Sequence, residues 1–179
     1  MTDEQAIRLC QDGDRDAFRH LVERYKDTLY GTAFLMTGDR AVAEDHVQEA
    51  FLSAWRGIRR FQRGRPFKPW VVRVLVNAVV SRRRRQSLSM APLEEADRVE
   101  DPSDVVESVM AGTRHEMVRG ALRRLSPEHR QVVVLRYFAD MTVPEVALSV
   151  GVREGTVKSR LHRALGRLRE ELEGDGDGQ

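Results

Sequence analysis

Apolar residues recur at helical spacing along most of the chain. Ala17, Phe18, Leu21, Val22, Tyr25, Leu29, Ala33 and Met36 make one stripe. It stops at Gly38-Asp39, where glycine ends one helix and aspartate can cap the next. Ala43, Val47, Ala50, Phe51, Ala54 and Ile58 make a second stripe, with Glu44, Asp45, Gln48 and Glu49 largely on other faces. Residues 69–85 are rich in valine, which favours a strand on propensity alone. The run is long for a strand, however, and Pro69 suits the first turn of a helix, where its missing N–H costs little. The pattern predicts a helix, with Arg73, Asn77, Ser81 and Arg84 on one polar stripe.

Helix resumes late in the chain. Met117, Ala121, Leu122 and Leu125 share an apolar face, and Ser126-Pro127 supplies a cap and a first-turn proline for a helix over 128–139. Thr142-Val143-Pro144-Glu145 reads as a capping box that starts a short helix to about Val150. Gly151 turns the chain into a last helix over about 153–172. Between the two helical parts, residues 87–114 hold two prolines, several serines and a block of acids, the composition of a flexible linker. The expected fold class is therefore all-α. Two small helical domains, 1–86 and 115–173, are joined by the acidic linker, and a disordered tail covers 174–179.

Charge sharpens this division. The formal net charge is only +2, yet residues 63–86 carry eight Lys/Arg and no acid, while residues 92–112 carry seven acids against Arg98 alone. A second basic excess follows from Arg119 to Arg169. Two cationic segments flanking an anionic connector suit two contacts with a polyanion. The single cysteine, Cys10, excludes a disulfide framework and a cysteine-based zinc site. The five histidines are scattered, with no nucleophile–base set, metal spacing or Gly-rich phosphate loop, so neither enzyme activity nor a cofactor or metal is expected. The polar, acidic N-terminus is no signal peptide, and no apolar run approaches the roughly 20 residues a membrane-spanning helix needs. A cytoplasmic protein without stable membrane insertion is expected.

The two short helices joined at Gly151 match a helix-turn-helix. Ala147 is small where the helices cross, and Val157 packs the second helix back. That second helix carries Thr156, Lys158, Ser159, Arg160, His162, Arg163 and Arg167, a polar and basic exterior suited to a major groove. An ordinary amphipathic helix with a solvated basic face would read similarly.

The runs LSPEHRQVVVLRYF (125–138), TVPEVA (142–147) and GTVKSRLHRA (155–164) closely resemble the C-terminal domain of extracytoplasmic-function (ECF) sigma factors. The resemblance implies that this domain binds the promoter −35 element, with Lys158, Ser159, His162 and Arg163 foremost, and Arg160 serving either phosphate or the fold. Arg153 stands where the family usually has a small capping residue. The run AEDHVQEAFLSAW (43–55) resembles the family's helix that docks on core RNA polymerase, which implies polymerase contacts at Asp45, Gln48, Glu49, Phe51 and Trp55. Core packing is the alternative for Phe51 and Trp55 and the favoured reading for Phe51, and His46 replaces a more usual aliphatic residue. The run FKPWVVRVLVNAVVSRRRR (67–85) resembles the family's −10 reading and melting helix. It implies DNA contacts at Phe61, Arg63, Arg65, Phe67, Trp70, Arg73, Asn77, Arg82 and Arg84, with the loop of residues 61–67 framing a pocket for a flipped base and Asn77 near it. Trp70 reads equally as core or as a stacking platform.

The implied protein is a sigma factor whose partners are core RNA polymerase, promoter DNA and an anti-sigma factor of the kind that commonly restrains this family. The linker would thread polymerase channels otherwise taken by nucleic acid. The competing reading is a stand-alone helix-turn-helix transcriptional regulator, which would bind its operator without polymerase.

Overall fold

The computed structural model describes residues 1–89 and 109–174. Its helices are α1 (Asp3–Gln11), α2 (Arg15–Thr37), α3 (Arg40–Gly57), α4 (Phe67–Ser89), α5 (Val109–Arg124), α6 (Pro127–Val133), α7 (Val143–Val150) and α8 (Glu154–Gly174). A 3-10 turn, Ile58–Arg60, follows α3, and a π-helical turn, Val134–Phe138, continues α6. No strand occurs among the described residues. The acid block of the expected linker and most of the tail lie outside the described residues. Both ends of the expected linker are helical, since α4 runs to Ser89 and α5 starts at Val109.

The local signals act as the sequence predicts. Gly38 closes α2 in the left-handed region at φ 73°, and the Asp39 side chain accepts from the Val42 N–H to start α3. Thr142 and Glu145 close a full capping box on α7, and Gly151 ends that helix at φ 71°. Helix α1 is an addition that the stripes did not mark. Its signal is another capping box, Thr2 with Gln5, followed by the buried residues Ala6, Ile7 and Cys10.

Helix α4 is the beam of the N-terminal half. Val71, Val72, Leu75 and Val76 are at most 1% exposed, buried among α2, α3 and α7. Valine in a helix gives up well under 1 kcal/mol of intrinsic propensity. Burying each of these side chains returns roughly 1.5–3 kcal/mol, so packing overrides the strand preference. Helix α3 approaches through the small residues Ala43, Ala50 and Ala54. Two polar side chains are buried in this half: Thr32, whose hydroxyl donates to the Thr28 carbonyl at 2.6 Å, and His46, which is 2% exposed and whose Nδ1 has no hydrogen-bond partner.

The C-terminal half packs Leu122, Leu125, Val132, Leu135, Met141, Val146, Val157, Leu161 and Ala164 together. In the π turn the Ala139 N–H reaches the Val134 carbonyl, five residues back, at 3.0 Å. The wider turn leaves Tyr137 and Phe138 about half exposed while Leu135 stays buried. The halves are in contact: α7 lies on α4 and the π turn lies on α2, so a single apolar core runs through both.

Burial holds the imidazole of His46 below its ordinary pKa of 6.5, and the nearby charge of Arg82 adds to the effect. A histidine kept neutral in the fold takes up protons first in the unfolded chain. Its contribution is therefore complete above pH 6.5 and is lost as the pH falls toward the depressed native value. Urea midpoints should drop on acidification below pH 6.5, and His46→Leu should flatten that slope. The remainder belongs in part to His129, whose pKa is lowered by burial and by the arginines of α8. An unchanged slope in the leucine variant would remove His46 from this account.

Candidate nucleic-acid and protein interfaces

Three faces carry the residues singled out in the sequence. On α8, Val157, Leu161 and Ala164 turn inward, which leaves Lys158, Ser159, His162, Arg163 and Arg167 exposed on the outside. Thr156 and Arg160 are half-buried at the edge of this face. Ser159 spends its hydroxyl on the Thr156 carbonyl at 3.0 Å, so it is less ready for a partner than its neighbours. Arg153 sits just before α8, and its carbonyl accepts from the N–H groups of Thr156 and Val157 at 2.9 and 3.1 Å. The helix therefore begins without a small capping residue at that position. Gly155 and Gly166 border open space on the helix surface, so backbone or ligand can come close there.

On α3, Asp45, Gln48 and Glu49 are exposed together, and Leu52, one turn beyond Gln48, joins them at 57% exposure. The sequence reading did not include Leu52. Its signal was an apolar residue off the buried stripe. Phe51 and Trp55 belong to a different surface. Both are half-buried with rings edge-on to Phe18, at centroid distances of 6.4 and 5.2 Å. They pack α3 onto α2 and only partly reach solvent.

The third face combines α4 with the loop before it. Arg73, Asn77 and Ser81 are exposed on one side of α4, and Val80 stands beside them at 46% exposure. The side chain of Arg84 lies outside the described residues. Phe61 and Phe67 do not reach the surface, with exposures of 7% and 1%. They form an aromatic cluster with Trp70, ring centroids 5.0–5.8 Å apart, and Tyr25 adds a fourth ring 5.4 Å from Phe67. Stacking on a base is closed to Phe61 and Phe67 in this conformation, because their area is spent on anchoring the loop. Trp70 keeps a half-exposed edge.

Beside that cluster lies an open hollow of about 360 Å³, lined by Arg63, Gly64, Arg65, Pro66, Phe67 and Lys68 from the loop side and by Asp3, Glu4, Ile7 and Tyr25 from α1 and α2. Asn77 is not among its lining residues. Instead α1, absent from the sequence reading, supplies one wall. Asp3 is fixed there by Arg24 and by the Tyr25 hydroxyl. Gln11 braces the loop: its amide donates to the carbonyls of Ile58 and Phe61 at 3.0 and 2.8 Å, and its oxygen accepts from Arg63 Nε at 2.6 Å. Arg82 and Asp45, assigned from the sequence to two different contacts, face each other at 3.4 Å.

The description "Sigma-70 region 2" matches residues 21–88 and "Sigma-70, region 4" matches residues 121–170. Among curated proteins, the ECF RNA polymerase sigma factor SigW of Bacillus subtilis is 30% identical over 183 residues, covering 94% of this chain and 96% of that protein. The ECF RNA polymerase sigma factor SigM of Mycobacterium tuberculosis is 38% identical over 157 residues, covering 87% and 77%. Among solved structures, CnrH in complex with the cytosolic domain of CnrY is similar with a TM-score of 0.73 and 25% identity, over 97% of this chain and 98% of that one.

Gln11→Ala would take the side-chain donor from the Phe61 carbonyl and from the Ile58 carbonyl, which keeps the Phe61 N–H, and would remove the acceptor of Arg63 Nε. A loss of roughly 1–3 kcal/mol is expected, read from urea denaturation, together with faster tryptic cleavage after Arg63. Unaltered stability and cleavage would mean that Gln11 does not hold the loop.

Proposed function

The chain belongs to the ECF RNA polymerase sigma factors, and from that premise we propose how its three faces divide the work of initiation. It binds core RNA polymerase and directs promoter-specific transcription initiation. The exposed set Asp45, Gln48, Glu49 and Leu52 on α3 is the polymerase contact. Carboxylates and an amide around one apolar side chain suit a partly polar protein interface. Phe51 and Trp55 support that helix from behind, and Trp55 lends its exposed edge.

The −10 strand runs over Arg73, Asn77 and Arg82 of α4 and into the hollow beside the loop. Arg63, Arg65 and Lys68 attract phosphate there, and Trp70 offers a stacking edge for an unpaired base. Extracting a base costs a few kcal/mol, which a preformed hollow offsets. Helix α8 enters the −35 major groove, with Lys158, His162 and Arg163 toward base edges or phosphates and Arg167 toward the backbone. Arg160, half-buried, serves the fold first.

Members of this family are DNA-binding initiation factors, and this chain is read likewise as no enzyme. No helix among the described residues is long and apolar enough to cross a membrane, and the work with polymerase and promoter places the chain in the cytoplasm. A third partner is an anti-sigma factor seated on the sigma chain, in the way the cytosolic domain of CnrY is bound to CnrH. The observation that carries the whole reading is the pair of matched regions, in order, on one chain. A stand-alone regulator would need only the second.

Run-off transcription with core polymerase on a promoter library, with and without this chain, tests the function. New start sites should appear only with the chain. Combined Asp45→Ala, Gln48→Ala and Glu49→Ala should weaken core binding by at least about tenfold, or about 1.4 kcal/mol, and leave −35 duplex binding unchanged. Lys158→Ala or Arg163→Ala should lower duplex affinity and reduce the salt slope by about one for each phosphate contact removed. Tight specific duplex binding with no affinity for core enzyme would return the chain to the class of independent regulators.

A further inference from the structure

The hollow beside the loop has two walls of opposite charge. Arg63, Arg65 and Lys68 line one side, and Asp3 and Glu4 of α1 line the other. Ile7 and Phe67, both buried, complete the lining with apolar surface. The walls are fixed with respect to each other. Gln11, at the end of α1, reaches the Ile58 and Phe61 carbonyls and Arg63 Nε, so α1 and the loop form one frame. At the start of α1, the capping box of Thr2 with Gln5 sets the first turn, and Arg24 and the Tyr25 hydroxyl hold Asp3. Glu4, next to Asp3, is exposed, and its carboxylate has no partner among the described residues. On the facing wall Lys68 already has Asp140 at 3.8 Å. Arg63 spends Nε on Gln11, which leaves its Nη groups, with Arg65, to meet a ligand.

Walls of this kind discriminate between bases. A phosphate suits the arginine side and is repelled on the α1 side, so a strand that enters must turn a base edge toward Glu4 and keep its backbone away. An ionised carboxylate accepts hydrogen bonds and donates none, so that edge has to present N–H groups. The arginines only donate, so the opposite edge has to present acceptors, of which a carbonyl oxygen is the strongest. Guanine carries an amino group beside a ring N–H, with O6 and N7 on another edge. Cytosine carries an amino group at one end and a carbonyl at the other. Adenine has an amino group but only ring nitrogens as acceptors. Thymine has two carbonyls and no amino group, so its O4 would face a carboxylate. The hollow, about 360 Å³, is of the size of small-molecule sites, roughly 300–1,000 Å³.

We infer that α1 selects the base drawn into the hollow: Glu4 accepts from its exocyclic amino group while Arg63 and Arg65 donate to its carbonyl, so guanine or cytosine is taken in and thymine is rejected. The inference rests on the reading above of the hollow as the seat of the extracted −10 base, and it adds what that base must be. Attraction for the strand comes from the loop, whereas selectivity comes from a helix at the other end of the domain sequence. Asp3, its charge answered by Arg24 and its second oxygen by Tyr25, holds the wall in place beside Glu4. Thymine is disfavoured twice over, because it leaves the Glu4 carboxylate without a donor and sets an oxygen against it.

Binding of the assembled holoenzyme to forked −10 probes tests this, with each of the four bases placed in turn at every unpaired position of the non-template strand. One position should favour guanine or cytosine over thymine by about tenfold, the effect of one charge-assisted hydrogen bond, with adenine between them. Exchanging the preferred base for its amino-free counterpart, hypoxanthine for guanine or 2-pyrimidinone for cytosine, should weaken the parent by the same factor. Glu4→Ala should abolish the preference and respond to neither exchange. Glu4→Gln, which keeps an acceptor without the charge, should retain part of it. Glu4 is exposed, so both variants should fold, and their affinity for core polymerase and for −35 duplex should match the parent's. An undiminished preference in Glu4→Ala, equal binding of the amino-free base by the parent, or no position that disfavours thymine overturns selection by α1. A parent chain that gives no new start sites with core polymerase sinks the functional reading and this inference with it. Chain-dependent starts combined with any of those three results sink the selection alone.

Discussion

Burial of one face of α4 is the constraint on which the rest depends. Val71, Val72, Leu75 and Val76 are sealed between α2 and α3 on one side and α7 on another. With that face committed, Arg73, Asn77 and Ser81 fall on the exposed side of the helix, and the loop before the helix is pulled in by Phe67 at its first residue. The same helix fixes the height of Lys68 and Arg82 relative to their carboxylate partners. A polar substitution at Val72 would therefore disturb the exposed face of α4, the loop hollow and the contact between halves together.

Much of this architecture could be read from spacing and caps alone. Gly38-Asp39, Ser126-Pro127, the Thr142 capping box and Gly151 each bound a helix where they should, because caps act over three or four residues and need no tertiary context. The valine run was legible once its length was weighed against its propensity. Helix α1 was not, because its nine residues carry only three buried positions and sit among charges. The sites divide in the same way. Exposure of the α8 set followed from a clean apolar stripe at Val157, Leu161 and Ala164. The roles of Phe61 and Phe67 did not follow, because an aromatic in a basic loop looks alike whether it awaits a base or anchors the loop. Only the four rings meeting around Phe67 separate these. Docking of the halves had no local sign, since it joins residues such as Arg130 and Met36, 94 positions apart.

Electrostatics explains why so many cations can share a small chain. The basic residues are distributed over two faces, and several meet carboxylates from other elements: Arg24 with Asp3, Arg82 with Asp45, Lys68 with Asp140, Arg124 with Glu171. Exposed pairs of this kind contribute little to stability, typically under about 1 kcal/mol. Their effect lies elsewhere. Each holds a cation against a neighbouring element at little cost. The bond between Asp45 and Arg82 has a further property, for it joins α3 to α4, so a charged partner on either helix alters the charge seen by the other.

The π turn at Val134–Phe138 differs from an ordinary α-helical turn by a single residue, since its hydrogen bond spans five positions rather than four. Loss of one residue in that stretch would restore regular helix, keep Val132 and Met141 in register with their own core, and swing the ring of Phe138 off Gly31 of α2. The seating of the C-terminal half on α2 is thus set by the length of one segment, adjustable by one codon without touching the exposed faces of α3 or α8.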